Sequence, residues 1–436
     1  MTIRAGDLPE CPLHSRPLMK RLFPSLLALF PISLLAVTPV ASTDWPQWRG
    51  PARDDISKET GLLKEWPAEG PKKLWSFTNA GNGYSGFAVA GGKLFTLGTR
   101  DGGEILITLD AAKGTELWVA KLGGILDNKW GDGPRGTPTV DGDRVYALGG
   151  DGTLVAVQVK DGKELWRAKT DDFGGKRPGW GFTESVTVDG NQVVFTPGGP
   201  QGALVALDKM TGKKLWQSAE FTDGAQYSSI VPATINGEPQ YVQRTMESVV
   251  GISPKDGKLL WKQTFPGKTA VIPTPIVKGN QIYVTAGYGV GSMSFAIEKG
   301  NTVKMVWDET AGTNKVMKNH HGGVVLLGDH LYGFSDGVGW TCQDFKTGAL
   351  VWGEKGKLGK GAIAYADGHF YLLDEATGTV ALIEATPSGY KEKSRFKIDP
   401  QTAIRSPQGR IWTHPTIANG RLYLRDQDLI FAYALK

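Results

Sequence analysis

Cysteine is almost missing from this chain. Its 436 residues include two, Cys11 and Cys342. Loss of an N-terminal export signal would leave Cys342 alone, so the mature chain cannot form an internal disulfide. No cysteine stands at the expected cleavage site, which argues against a lipid-anchored lipoprotein. A C-x-x-C-H haem site is absent, as are a Walker loop, a dinucleotide fingerprint, H-E-x-x-H and G-x-S-x-G. Long amphipathic helical runs are also missing, which excludes a helical bundle. Charge of one sign is scarce. The formal net charge is +5, with Lys and Glu interspersed, so no nucleic-acid footprint is visible.

What is abundant is glycine, at 59 residues, and tryptophan, at 14. That pairing favours many short strands joined by Gly-rich turns. Residues 1–42 read as an export signal, with basic Met19-Lys20-Arg21, an apolar run from Leu22 to Val37, and Val40-Ala41-Ser42 at the cleavage positions. Residues 1–18 are polar, and Met19 is a candidate true start. The apolar run is short for the bilayer core, so no integral span is expected after cleavage. The expected location is periplasmic or extracellular.

Tryptophan recurs at Trp75, Trp118, Trp166, Trp216, Trp261, Trp307 and Trp352, at spacings of 43, 48, 50, 45, 46 and 45 residues, with Phe396 in the eighth place. The turns before them include AAKGTELW, VKDGKELW, KMTGKKLW, PKDGKLLW and FKTGALVW. Near Gly300 the turn is degenerate, and at Gly389 it is poor. Between the turns lie hairpins such as TPTVDGDRVYAL and SVTVDGNQVVFT. Apolar and polar residues alternate along them with period two. Each repeat therefore supplies about four strands, the size of one propeller blade. Eight inner hairpins are expected near residues 86–98, 137–148, 185–196, 232–243, 274–285, 323–334, 362–373 and 415–425. The strand Lys72–Phe77 precedes the first hairpin, and the last hairpin has no outer strand after it. The predicted fold is an all-β, eight-bladed β-propeller of four-stranded antiparallel blades. Its closing blade is shared between N- and C-terminal strands, which removes open edges. Residues 43–71 form an N-terminal extension and 72–436 the propeller.

Ala206-x-Asp208-x-x-Thr211-Gly212-x-x-x-Trp216 resembles the tryptophan docking motif of pyrroloquinoline quinone (PQQ) repeat propellers, a superfamily that includes BamB-like proteins and quinoprotein alcohol dehydrogenases. The resemblance covers residues 73–436. Asp44-Trp-Pro-Gln-Trp-Arg-Gly-Pro51 resembles the start of exported PQQ-binding-like propellers. It implies that the repeated tryptophans staple blades together and hold no cofactor. The dehydrogenase branch sandwiches PQQ beside adjacent cysteines with a divalent calcium. This chain lacks the adjacent cysteines, so the cofactor stays unknown, with PQQ and a divalent metal as one reading.

Function must then sit in loops. Loops leading into the innermost strands converge at one mouth of the axial channel. Aligning the repeats places Tyr84, Arg135, Thr183, Glu184, Tyr227, Ser228, Ile272, His320, His321, Lys360 and His414 there. The two longest lead-in loops carry Trp130 and Trp180, and Trp412 adds a third indole. Candidate catalytic residues are Glu184, as a general base, and His321. Candidate ligand-binding residues are Tyr84, Arg135, Trp180, Tyr227, His320, Lys360, Trp412 and His414. Arg135 and Lys360 suit a carboxylate or phosphate, or an ion pair with Asp132 or Glu184. On a strand, adjacent side chains face opposite ways, so one of His320 and His321 should face the channel. Whether His320 or His321, His414 and Glu184 hold a metal or only shape the mouth stays open. Three functions are compatible: binding of a small polar ligand, cofactor or glycan; PQQ- or metal-dependent oxidation of an alcohol or sugar; and a protein-binding scaffold of the cell envelope.

Overall fold

The computed structural model describes Thr43–Lys436 apart from Asn314; the expected export signal lies outside the described residues. Those residues form eight sheets arranged as blades, each of four antiparallel strands, one of them extended by a short fifth strand. The innermost strands are Ala88–Ala90, Thr139–Asp141, Thr187–Asp189, Val231–Ile235, Ile276–Lys278, Val324–Leu327, Gly361–Ala366 and Thr416–Ala418. They mark blades 1 to 8 in order. Each agrees with one of the eight expected hairpins. One 3-10 turn, Thr170–Phe173, interrupts the strands.

The closing blade is shared as expected. Lys73–Phe77 pairs antiparallel with Leu429–Ala434, placing Trp75 opposite Ala432. The ring is thereby closed by segments that are distant in sequence, with Leu429–Ala434 paired on both sides and Lys73–Phe77 serving as the outer strand.

The repeated turn works through Asp208. Its Oδ1 accepts from the amides of Met210 and Thr211, at 3.1 and 2.8 Å, and from the Thr211 hydroxyl at 2.8 Å. Gly212 then adopts a φ of 72°, where a side chain is strained. It is also covered by the indole of the preceding blade: a Cβ there would fall 2.8 Å from Trp166. The Trp166 indole N–H donates to the Lys209 carbonyl at 2.9 Å. Trp216 repeats the move on the next blade, bonding the Pro254 carbonyl at 3.0 Å and covering Gly257. The motif is thus an inter-blade staple.

Three copies depart from the pattern; in one, Trp352 still donates to the Thr386 carbonyl at 3.2 Å but leaves Gly389, the poor turn, uncovered. Trp261 donates to Gln240 of its own blade, at 2.6 Å, and Gly300 is left uncovered. This is the degenerate turn seen in the sequence. Phe396 lacks an N–H and instead covers Gly70, near the start of the described chain.

The segment Thr43–Ser57 is woven through the ring. Thr43 and Asp44 bond Asn419 of blade 8. Trp45 and Val89 of blade 1 exchange backbone hydrogen bonds at 2.8 and 2.7 Å, and Pro46 accepts from Val140 of blade 2. The Trp48 indole bonds Thr274, just before the innermost strand of blade 5. Arg49 reaches the Val324 carbonyl of blade 6 at 2.5 Å. Arg53 donates to Ser185 and Val186 of blade 3 and to Ile230 beside blade 4. Ile56–Ser57 then pairs parallel with Tyr365 and Ala366 of blade 7. One short strap therefore contacts all eight blades.

Candidate functional site

A cavity of about 360 Å³ opens at the axial mouth. Its walls are mostly aromatic: Trp48, Tyr84, Trp130, Trp180, Tyr227, Tyr288 and Trp412. Its polar groups include Arg135, His320, His321 and His414. Aromatic walls with a few placed polar groups are the usual make-up of a small-molecule site.

The walls are held by bonds between neighbouring lead-in loops. The Tyr84 hydroxyl donates to the Trp130 carbonyl at 2.6 Å, and its ring lies 4.9 Å from that of Trp412. Asn128 donates to the Gly179 carbonyl, tying the Trp130 loop to the Trp180 loop. Trp180 packs edge-on to Tyr227 at 5.8 Å. Ser406 donates to the Lys129 carbonyl at 2.6 Å, so the loop before Trp412 joins them. Beneath this wall sits Glu104, 1% exposed, accepting from the amides of Leu126 and Gly150. Burial pushes its carboxyl up to about 7.

Arg135 lies against the Tyr84 ring, 4.8 Å from its centroid. One guanidinium nitrogen donates to the Gly131 carbonyl at 2.7 Å, while Nε is buried without a partner. Burial lowers its pKa. Neither of the ion pairs considered for it, with Asp132 or Glu184, forms.

The opposite wall holds the histidines. His320 and His321 both line the cavity, with rings stacked 4.4 Å apart at 28°. This corrects the expectation that one of them turns away. The pair precedes the innermost strand, which begins at Val324, so strand alternation does not apply. Gly322 and Gly323 allow close packing of the loop against its neighbours. A Cβ on Gly322 would lie 1.8 Å from the Gly361 carbonyl, and one on Gly323 would lie 3.1 Å from the His414 ring.

His321 faces Glu375, with Nε2 and Oε2 3.2 Å apart. Burial and the positive and imidazole neighbours hold His321 far below its ordinary value. Burial pushes Glu375 up to about 7. His414 donates Nε2–H to the His321 carbonyl at 2.8 Å. Its Nδ1 faces Asp55 of the strap at 3.7 Å, and Asp55 pairs with Arg49 at 2.7 Å. The strap is therefore linked to the well through both His414 and Trp48.

Two candidate residues stand off the well. Glu184 is 2% exposed and accepts from the Thr196 amide at 2.7 Å. Burial pushes it up to about 7, offset in part by the Thr196 bonds and by Arg53. Its carboxylate helps hold blade 3 and does not line the cavity. Lys360 reaches the site only through His320, donating to Nδ1 at 2.7 Å and to Asp336 at 2.8 Å. Ser228 is likewise buried behind the wall, and its neighbour Ser229 faces in. Among the described residues no group of three or more His, Cys, Asp or Glu is spaced to hold a metal. The joint site of His320 or His321, His414 and Glu184 is not assembled.

The sequence reading missed Trp48, Tyr288, Thr269, Ala270, Ser185 and Ser229 on the lining. Two signals pointed to some of them. Gly287-Tyr288-Gly289 isolates an aromatic between glycines, and the strap is dense in Trp and Arg immediately before the first blade.

A family profile described as outer membrane protein assembly factor BamB matches residues 67–175 and 103–380, well over half of the chain. The chain belongs to this BamB-like PQQ-repeat family. No curated protein sequence matches it. BamB from Moraxella catarrhalis is similar in structure, with a TM-score of 0.57 at 15% identity, covering 84% of this chain and 97% of that one. Quinohemoprotein alcohol dehydrogenase from Comamonas testosteroni superposes with a TM-score of 0.60 at 11% identity, over 90% of this chain and 80% of that one. A computationally designed protein, Ika8, gives 0.57 at 13%, over 83% and 99%. At such identities the likeness is one of fold. Among the described residues no helix is long and apolar enough to cross a membrane.

Proposed function

We propose that this PQQ-repeat propeller binds a small ring-shaped polar ligand, a cofactor or a glycan, in the axial well after export. The carrying observation is the well itself: about 360 Å³, walled by seven aromatic side chains, with one half-buried guanidinium on its wall. Flat aromatic faces suit stacking against a ring. The guanidinium of Arg135, which donates one bond to the Gly131 carbonyl and lies on the lining, suits a carboxylate or phosphate on that ring. Export rests on the basic and apolar pattern of residues 1–42.

The oxidoreductase reading keeps His321 as the group best placed to touch a substrate. Glu184 does not serve it as a base, because the carboxylate lies off the lining. The family match favours a second reading, a scaffold for a protein partner. In that case the rims would carry the function and the well would stay empty.

Tryptophan fluorescence and thermal-shift titrations separate these readings. The probes are PQQ with and without calcium, transition metals alone, a glucuronate disaccharide and its neutral counterpart. Saturable stabilisation by an anionic ring probe, weakened about tenfold or more in Arg135→Gln, is expected. No response to any probe would overturn the ligand reading and leave the scaffold.

A further inference from the structure

The wall opposite Arg135 carries a chain of four side chains. Asp336 accepts from Lys360 at 2.8 Å, Lys360 contacts His320 Nδ1 at 2.7 Å, and His320 Nε2 lies 2.6 Å from the Tyr288 hydroxyl. An ammonium group only donates, so Lys360 makes Nδ1 an acceptor. A neutral imidazole then carries its proton on Nε2 and donates it to the Tyr288 oxygen. The Tyr288 proton is left over, and among the described residues the hydroxyl makes no other hydrogen bond. Tyr288 lines the well.

Two observations say that this placement is specified. Tyr288 has a φ of 56°, a left-handed backbone that is strained in a non-glycine residue and persists only where surroundings enforce it. The flanking Gly287 allows the close approach, since a Cβ there would lie 3.0 Å from the His320 backbone. Burial and Lys360 hold His320 down to about 4, so it is neutral. Burial, with Asp336 nearby, raises the Tyr288 phenol and keeps its proton on.

We propose that Asp336, Lys360 and His320 orient Tyr288 as a dedicated hydrogen-bond donor to an oxygen acceptor of the ligand. This rests on the ligand reading above and narrows the ligand class. Arg135 leads into blade 2 and Tyr288 follows the second strand of blade 5, so the two poles belong to separate parts of the ring. The ligand is then a ring with an anionic group at one pole and a carbonyl, carboxylate or hydroxyl oxygen at the other. A uronic acid and a quinone bearing carboxylates share this chemistry, and the glucuronate and PQQ titrations distinguish them.

Tyr288 would touch the ligand, while His320 and Lys360 are positioning residues. Without Lys360, the imidazole can take the other tautomer, and Tyr288 then spends its proton on Nε2. The test combines binding of the two probes with ¹⁵N NMR of the histidine rings in the full mature chain. Tyr288→Phe and Lys360→Met should each weaken the bound probe about five- to tenfold. Wild-type His320 should show the Nε2–H tautomer, and Lys360→Met should lose it while the other histidine signals stay in place. Unchanged affinity in Tyr288→Phe overturns the donor role while leaving the well as a ligand site. A protonated Nδ1 on wild-type His320 overturns the relay whichever probe binds. Failure of both probes to bind wild type overturns the donor proposal together with the ligand reading.

Discussion

Arg53 is the strap residue whose removal should be felt most. It is 4% exposed, and its guanidinium donates to Gln47 at 3.1 Å, Ser185 at 3.2 Å, Ile230 at 3.1 Å and Val186 at 2.6 Å. Burial lowers its pKa to about 10, with Glu184 opposing the fall, so it stays charged at neutral pH. Arg53→Met keeps the aliphatic stem and removes every donor. Each hydrogen bond from a charged group contributes about 1.5–3 kcal/mol, but such terms are not additive, and the variant escapes the cost of burying a charge. A net loss of about 3 kcal/mol is expected. For a domain this long the unfolding entropy makes 1 kcal/mol worth only about 1 °C, so Tm should fall by roughly 3–4 °C in a calorimetric scan. Arg395→Met is the control. Arg395 is 46% exposed and paired with Glu392 on the rim, and its loss should shift Tm by less than about 1 °C. If Arg53→Met melts within 1 °C of wild type, the strap does not hold the ring in the way described.

Other perturbations test other links. Trp216→Ala should cost about 3–5 kcal/mol in denaturant unfolding, while the folded fraction keeps wild-type probe affinity, because the indole staples blades and is not on the well. Gly212→Ala forces a side chain into a φ of 72° and toward Trp166, and should lower stability by about 2 kcal/mol or more in the same assay. Glu184→Gln tests burial. Because folding raises this carboxyl from its ordinary 4.5 to about 7, the folded state binds more protons between those values, and wild-type stability falls as pH rises through them. The variant should gain on wild type between pH 4.5 and pH 7 by at most about 3 kcal/mol, read as Tm against pH. A constant difference across that range would contradict the assignment.

The ring was legible because its signal is periodic. Trp, Gly and Asp recur with the blade, so strand count and closure follow from spacing, down to Trp75 opposite Ala432. Residues on the well were legible to the extent that they share the register: Tyr84, Arg135, Tyr227, His320 and His414 all stand just before innermost strands. Ser185 and Ser229 share the register but stand one place beyond the positions singled out, while the two missed aromatics lie outside it. Trp48 comes from the strap, which repeats nothing, and Tyr288 comes from the loop between the second and third strands of blade 5. Glu184 shows the converse. It shares the register, yet its side chain turns back to the Thr196 amide, a choice of direction that one position in a repeat does not reveal.

The most direct test is a crystal structure of the mature chain with the probe that binds it most tightly. The account predicts the ring of that ligand in the axial well, among Trp48, Trp180 and Trp412, with its anionic group on Arg135 and an oxygen on the Tyr288 hydroxyl. A ligand seated on the rim or between blades, with the well holding only solvent, would contradict it.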